Sequence, residues 1–192
     1  MRWANFANSA WYLDALGTKA RAGYQAFCRQ DFIGADYGLV DCSTADPLPD
    51  YYAAKLFQAL MGPGVLRAAV TTLHAGAVRA YAHCSRKTPG GLTTLLLNLA
   101  STPVNITLTL SGGNVGSASW EAGSSDPTVE YHLSATGDVM GTGVSLNDVP
   151  LVMTAGALPA LNGISSAAKV VRMTNRSYAF VELPNAGAPA CQ

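Results

Sequence analysis

Three aspartates, Asp31, Asp36 and Asp41, fall within eleven residues around Gly34, in the stretch FCRQDFIGADYGLVD from Phe27 to Asp41. Tyr37 stands among them. Hydrolysis of a glycosidic bond takes two carboxylates, one acting as acid/base and one as nucleophile or base. These aspartates cluster around the loop, yet plainer readings compete. Asp31 reads as polar decoration at a strand end, and Asp36 as a turn former beside Gly34. The three glutamates, Glu121, Glu130 and Glu182, lie in β-type sequence and are expected to face solvent. The residues by themselves favour these plainer readings over a catalytic role.

Tyr37 carries the strongest single-residue case for binding. On a glycine-bounded loop its hydroxyl can donate to a substrate oxygen while its ring packs on a sugar face. The competing reading is a tyrosine that packs the loop onto its own scaffold. Arg29 and Gln30, polar residues inside an apolar-flanked run, point to a buried polar network beside that loop. His74, His83 and His132 are far apart and lack a GxSxG nucleophile motif. His83 and Cys84 are adjacent within a strand-like run, which sends their side chains to opposite faces and excludes a catalytic pair. No GxGxxG, P-loop or metal-ligand spacing occurs, so neither cofactor nor metal is expected.

The elements that would position this loop differ on its two sides. Residues 3–16 have helical spacing of Phe6, Ala7, Ala10, Trp11 and Leu13, with Gly17 as the expected stop. Trp3 and Trp11 are expected on the core face. Tyr24–Phe32 reads as a strand that breaks at Gly34, the way an α/β barrel ends a strand at its active-site rim. DPLP at 46–49 starts a second helix, Asp50–Met61, whose Tyr52, Leu56, Phe57 and Leu60 share a face, and Gly62-Pro63-Gly64 ends it.

Beyond residue 64 the pattern becomes all β. Strands are expected at Val65–Val70, Val78–Cys84, Thr93–Leu99, Val104–Leu110, Val129–Leu133, Gly143–Leu146, Leu151–Thr154, Lys169–Met173 and Tyr178–Leu183. Residues 111–128, rich in Gly and Ser, read as a long loop. In Val104–Leu110 every even position is apolar and every odd one polar, the signature of a half-buried antiparallel strand. Leu146-Asn147-Asp148-Val149 is a tight hairpin turn. Short strands at this spacing fit a β-sandwich. A strand and two helices cannot enclose a core of their own, so residues 1–64 read as the incomplete C-terminal end of a larger α/β domain, and 65–192 as a sandwich.

Composition narrows the function classes. Of 192 residues, 49% are hydrophobic and 12% charged, enough apolar content for a packed core. Twelve basic and twelve acidic residues cancel, which argues against nucleic acid as a partner. No apolar run reaches the roughly 18–20 residues a membrane span needs, and no secretory leader is read at Met1. Of the four cysteines, Cys84 closes an expected strand and Cys191 is next to last. A bridge between them would tie the tail to the sheet; four separate thiols are the alternative. Asn105-Ile106-Thr107 and Asn175-Arg176-Ser177 are glycosylation sequons, which with a disulfide would favour an oxidising compartment.

The blocks FANSAWYLDALG, FCRQDFIGADYGLVD, DPLPDYYAAKLFQALMG, RAYAHC, LLLNL, VEYHL, VSLNDVPL and YAFVELPNAGAPAC resemble, in order, the heparanase-type proteins of glycoside hydrolase family 79, most of all the plant members. The resemblance implies the last strand and helices of a (β/α)8 barrel followed by a C-terminal antiparallel β-sandwich. It implies a retaining β-glucuronidase or endo-glucuronidase acting on glucuronides or uronate-bearing glycans. The family's two glutamates would lie upstream of the helix matched by residues 3–16, so this chain alone is expected to be inactive and to need the N-terminal barrel portion. The matching loop in the family reads close to Gly-Gly-Asn-Tyr and contacts the uronate carboxylate. That carries substrate contact onto Gly34, Ala35 and Tyr37. Ala35 replaces a glycine, so its N–H serves only at negative φ; Asp36 replaces an asparagine and adds a negative charge. The family's disulfide pairing matches Cys84 and Cys191. A secretory, vacuolar or lysosomal setting, peripheral to a membrane in some members, is the localisation expected of the parent. The reading from a different class is a non-catalytic sandwich that binds carbohydrate or supports folding.

Overall fold

A computed structural model of the chain describes residues 3–72, 76–110, 126–168 and 170–192. Two helices lead, α1 (Phe6–Arg21) and α2 (Pro49–Leu60). Ten strands follow: β1 (Met61–Leu66), β2 (Val78–Ser85), β3 (Leu92–Asn98), β4 (Val104–Ile106), β5 (Thr128–Ala135), β6 (Val144–Leu146), β7 (Val149–Pro150), β8 (Ile164–Ser166), β9 (Val171–Met173) and β10 (Ser177–Leu183). A 3-10 turn, Pro189–Cys191, closes the chain.

Antiparallel pairing joins eight strands, seven of them in the order β1-β2-β3-β10-β5-β6-β7 and the eighth, β8, paired with β5 off that path. The outer edge of β5 is shared, with β6 pairing residues 133–135 and β8 pairing residues 128–130. β4 and β9 form a separate two-stranded sheet. Alternation along the central strands sorts the core. Leu95, Leu97, Tyr178 and Phe180 meet Phe6, Leu13, Leu56 and Leu60 of the helices. Leu96, Ala179 and Val181 turn the other way, onto Val171 and Met173 of β9 and onto Val104 and Ile106 of β4. The large sheet thus has helices on one face and the small sheet on the other.

Asn5 caps α1, its Oδ1 accepting from Asn8 N–H at 2.9 Å. The helix does not stop at Gly17 but runs on to Arg21. Gly17 is a contact rather than a terminus: a Cβ there would stand 2.3 Å from Tyr81 Cγ on β2. α2 starts on Pro49, one residue earlier than expected, and buries Tyr52, Leu56 and Leu60. Gly62-Pro63-Gly64 was expected between helix and strand. It lies inside β1, because Gly62 passes so close to Cys84 that a Cβ would meet its carbonyl oxygen at 2.5 Å.

Several expectations need correcting. Tyr24–Phe32 forms no strand; the segment's nearest ladder contacts are single bridges, Ile33 to Val40 and Val40 to Pro47. A strand exists only where a neighbour completes its hydrogen bonds, and no described strand flanks this segment. Trp3 and Trp11 are 61% and 55% exposed, not core. Leu151–Thr154 is not a strand, the hairpin partner of β6 being the two-residue β7. β8, at Ile164–Ser166, had no signal in sequence. Residues 111–125, which carry most of the expected long loop, and His74, Glu121 and Lys169 lie outside the described residues. Among the described residues no helix is long and apolar enough to cross a membrane.

Candidate functional site

Residues 31–40 form a closed loop. Leu39 N–H donates to Asp31 O at 3.1 Å and Val40 N–H to Phe32 O at 2.9 Å, which zips the base. Gly38 N–H donates to Ala35 O at 3.1 Å, which makes the tip a tight turn. Gly34 sits at φ +129°, a conformation that only glycine adopts without strain. Ala35 is not among the positive-φ residues, so its methyl group carries no backbone strain there. Ala4 N–H donates to Asp36 O at 3.1 Å, fastening the tip to the start of α1. Gly34, Ala35 and Tyr37 are thereby held on one short turn, with Tyr37 half-buried and Asp36 exposed.

Beneath the turn lies the polar network that Arg29 and Gln30 suggested, but Arg29 alone enters it while Gln30 is exposed. The Arg29 guanidinium donates to Tyr37 O at 3.0 Å and pairs with Asp50, the second residue of α2. Asn8 Nδ2, from α1, donates to the same Asp50 oxygen at 3.1 Å. The guanidinium carbon lies 5.3 Å from the centre of the Tyr12 ring. Asp50 is fully buried, and burial pushes its carboxyl above the usual range despite the opposing pull of Arg29 and Asn8. Asp41 accepts from Ser43 N–H at 2.8 Å and from Thr44 N–H at 3.2 Å, a turn-making role.

Two glutamates expected in solvent are 5% exposed. Glu182 accepts from Lys87 Nζ and from Tyr131 OH, each at 3.0 Å. Glu130 lies 2.6 Å from His132 Nε2 and accepts from Thr128 Oγ1 at 2.9 Å. Burial raises the Glu130 carboxyl, but the bonds from His132, Thr128 and Ser166 outweigh it and hold the group below its ordinary value. The signal missed was cross-strand: Lys87, Tyr131 and Glu182 come from separate strands and a loop. Tyr131 faces Phe180 across the β5–β10 ladder, so Glu182, two residues on, shares that face, whereas Glu130 faces Val181 on the other. The sheet separates the two carboxylates, so they cannot flank one glycosidic bond. Among the described residues no group of His, Cys, Asp and Glu could hold a metal ion.

A cavity of about 330 Å³ opens between α2 and the 158–161 segment, lined by Tyr51, Lys55, Leu158 and Leu161 over the Lys87–Tyr131 contact. Cys84 and Cys191 form the disulfide, with Cα atoms 5.2 Å apart, while Cys28 and Cys42 are free and exposed. Asn105 projects outward from β4, and Asn175 is exposed in the turn before β10.

No protein-family model matches the chain. Heparanase-like protein 2 of Arabidopsis thaliana is 37% identical to it over 97% of the chain, and baicalin-beta-D-glucuronidase of Scutellaria baicalensis 34% identical over 93%. The chain belongs to the heparanase-like proteins of glycoside hydrolase family 79. It spans 38% and 32% of the length of those two relatives. Rat heparanase is 41% identical over 49% of the heparanase-like chain. The fold recurs more widely. A family 30 subfamily 8 xylanase from Clostridium acetobutylicum superposes on 95% of the chain, using 40% of its own, with TM-score 0.59 at 15% identity. A family 51 arabinofuranosidase from Xanthomonas axonopodis pv. citri superposes on 93%, using 36% of its own, with TM-score 0.56 at 11% identity.

Proposed function

We propose that this chain is the C-terminal part of a heparanase-like retaining glycoside hydrolase that cleaves O-glycosyl bonds of glucuronides or uronate-bearing glycans. Residues 1–64 complete a (β/α)8 barrel and residues 65–192 form its β-sandwich. The acid/base and the nucleophile belong to the barrel portion that this chain joins, and the chain by itself is inactive. Its contribution to the site is the sugar-contacting turn: Gly34 and Ala35 offer backbone N–H groups to the uronate carboxylate, and the Tyr37 hydroxyl donates to a sugar oxygen. The parent works in the secretory pathway, with glycans on Asn105 and Asn175.

The observation that carries this reading is the closed 31–40 loop: a turn tip carrying Tyr37, fastened to both helices, in a chain whose relatives include a β-D-glucuronidase. Two further observations agree with it. The described glutamates sit on opposite faces of the sheet. Trp3, Trp11, Phe32 and Ile33 are all about half or more exposed around α1 and the loop, an apolar surface of the kind a barrel wall would cover.

The test is hydrolysis of 4-nitrophenyl β-D-glucuronide. The chain alone is expected to give none. Co-expressed with the barrel portion of a relative, it is expected to give turnover whose KM rises in Tyr37→Phe. Hydrolysis by the chain alone overturns the proposal. Saccharide binding without turnover in the complemented complex favours a non-catalytic carbohydrate-binding module.

A further inference from the structure

We infer that Arg29 and Asp50 form a positioning pair that sets the sugar-contacting turn in register with the two helices; this deepens the proposed function and rests on it. The guanidinium is the one described side chain that reaches both the turn, through Tyr37 O at 3.0 Å, and α2, through Asp50. Asn8 Nδ2 extends the link to α1. The Tyr12 ring, also from α1, adds a cation–π contact, its centre 5.3 Å from the guanidinium carbon. Tyr37 therefore inherits its place from a chain of contacts that begins in two helices and ends on its own backbone.

The pair is poorly explained as a device for stability. Its side chains are 13% and 0% exposed, so both charges have been taken out of water. Desolvation of that kind offsets most or all of the mutual attraction, and apolar replacements of both partners are often neutral. Arg29 Nε, Asp50 Oδ1 and, next along the loop, Asp31 Oδ1 are buried without a hydrogen-bond partner among the described residues. Groups left so are costly. What the arrangement supplies instead is direction: one nitrogen of a planar, always-charged guanidinium, Arg29 Nη2, donates to a carboxylate and a carbonyl at once. A backbone carbonyl in a turn has no side chain of its own through which it could be steered, so a fixed donor is the means available.

The experiment separates holding the turn from holding the fold. Single variants such as Arg29→Met or Asp50→Leu strand one buried charge and are expected to destabilise the whole chain. The double variant Arg29→Met/Asp50→Leu removes both charges together. It is expected to unfold at the same urea midpoint as the wild type, while the Gly38 and Leu39 amides exchange about tenfold faster, the loss of one charge-assisted bond. A fluorotyrosine resonance at position 37 should narrow as the ring gains freedom. Unchanged exchange in the double variant overturns the inference, because the turn then holds itself. A double variant that fails to fold also overturns it, because the pair then serves the fold. Titration with 4-nitrophenyl β-D-glucuronide runs in parallel on the wild type and the double variant, each co-expressed with the barrel portion of a relative. No binding by the wild type sinks the proposed function and leaves the exchange result standing; binding that weakens about tenfold in the folded double variant, matching the exchange, supports both.

Discussion

The Tyr178 hydroxyl lies 2.9 Å from Ser9 Oγ, and neither residue has any access to solvent. Ser9 donates its own proton to Phe6 O at 2.7 Å, so the tyrosine is the donor between them. The Phe6 ring stacks on that of Tyr178 with centroids 5.0 Å apart and planes 9° from parallel. Burial drives the Tyr178 phenol far above its usual range, so it remains a donor at every accessible pH. One residue of β10 thus anchors α1 to the sheet by a bond and a stack. Tyr178→Phe should cost about 1 kcal/mol by removing the bond alone. Phe6→Ala should cost about 3–5 kcal/mol by opening a cavity under the helix. Urea unfolding of both variants reads the difference; equal losses would show that the stack contributes nothing beyond the hydroxyl.

Gly17 invites a test in which propensity and packing disagree. Alanine in mid-helix is favoured over glycine by about 1 kcal/mol. Here the added Cβ would meet three atoms of the Tyr81 ring at 2.3–2.6 Å. That ring is pinned, its hydroxyl donating to Asp14 Oδ1 at 2.6 Å and lying 2.9 Å from Thr18 Oγ1. Gly17→Ala should therefore destabilise, by about 1–3 kcal/mol as overpacking does. Pairing it with Tyr81→Ala should return the helical benefit of alanine. A Gly17→Ala protein that melts higher than the parent would show that α1 stands further from β2 than described.

The Cys84–Cys191 bridge closes a loop of 107 residues. A crosslink over that separation restricts the unfolded chain by roughly 4–5 kcal/mol in the chain-entropy account. Cys84→Ser/Cys191→Ser should lower the urea midpoint accordingly. It should also release the 3-10 turn first, since Gly90 N–H donates to Cys191 O and Ala188 N–H to Gly90 O, each at 2.8 Å. Amide exchange at Gly90 and Ala188 reads that release. Protection unchanged on reduction would show that these bonds hold the tail without the sulfurs.

What could be read in the sequence was local. The alternation of Val104–Leu110 appears as half-buried even positions and exposed odd ones, although only three of its residues join a ladder. Asn147 and Asp148 take φ +50° and +65° and close the β6–β7 hairpin as their types require. Tyr24–Phe32 failed because strand character depends on a neighbour, which no property of the segment reveals. Glu182 failed for the same reason: Lys87 and Tyr131, which make its burial tolerable, arrive from a loop and from another strand. Glu130 failed differently, since Thr128 and His132 stand two residues to either side of it on its own strand, a period-2 pattern that was open to reading. Trp11 failed because helical spacing fixes which residues share a face, while the packing against that face decides which one is covered. In the candidate site, Tyr37 was singled out from the glycine-bounded loop and Gly34 and Ala35 through the family resemblance, while Asp50 was read only as a helix start. Its partner, Arg29, is twenty-one residues away, a separation that no local pattern reports.

His83 supplies a stability change with a defined pH window. It is 3% exposed, its Nδ1–H donates to Gly62 O at 2.7 Å, and Nε2 is buried without a hydrogen-bond partner. The Phe57 ring meets it edge-on at 5.7 Å. Burial lowers its pKa, and the bond to Gly62 opposes that only in part. The unfolded chain then takes up a proton near the ordinary value of about 6.5 that the folded chain refuses. Stability from this residue is complete above that value and declines as pH falls through it, until the folded histidine also protonates. Glu130, with its pKa depressed, loses its contribution only below the ordinary carboxylate range, so the two effects occupy separate windows. Urea midpoints measured between pH 7.5 and pH 5, values chosen to bracket about 6.5, should fall with acidification in the parent. In His83→Gln, which keeps a donor for Gly62 O but cannot titrate, the slope over that interval should flatten. A slope that survives the substitution would place the acid sensitivity in another group.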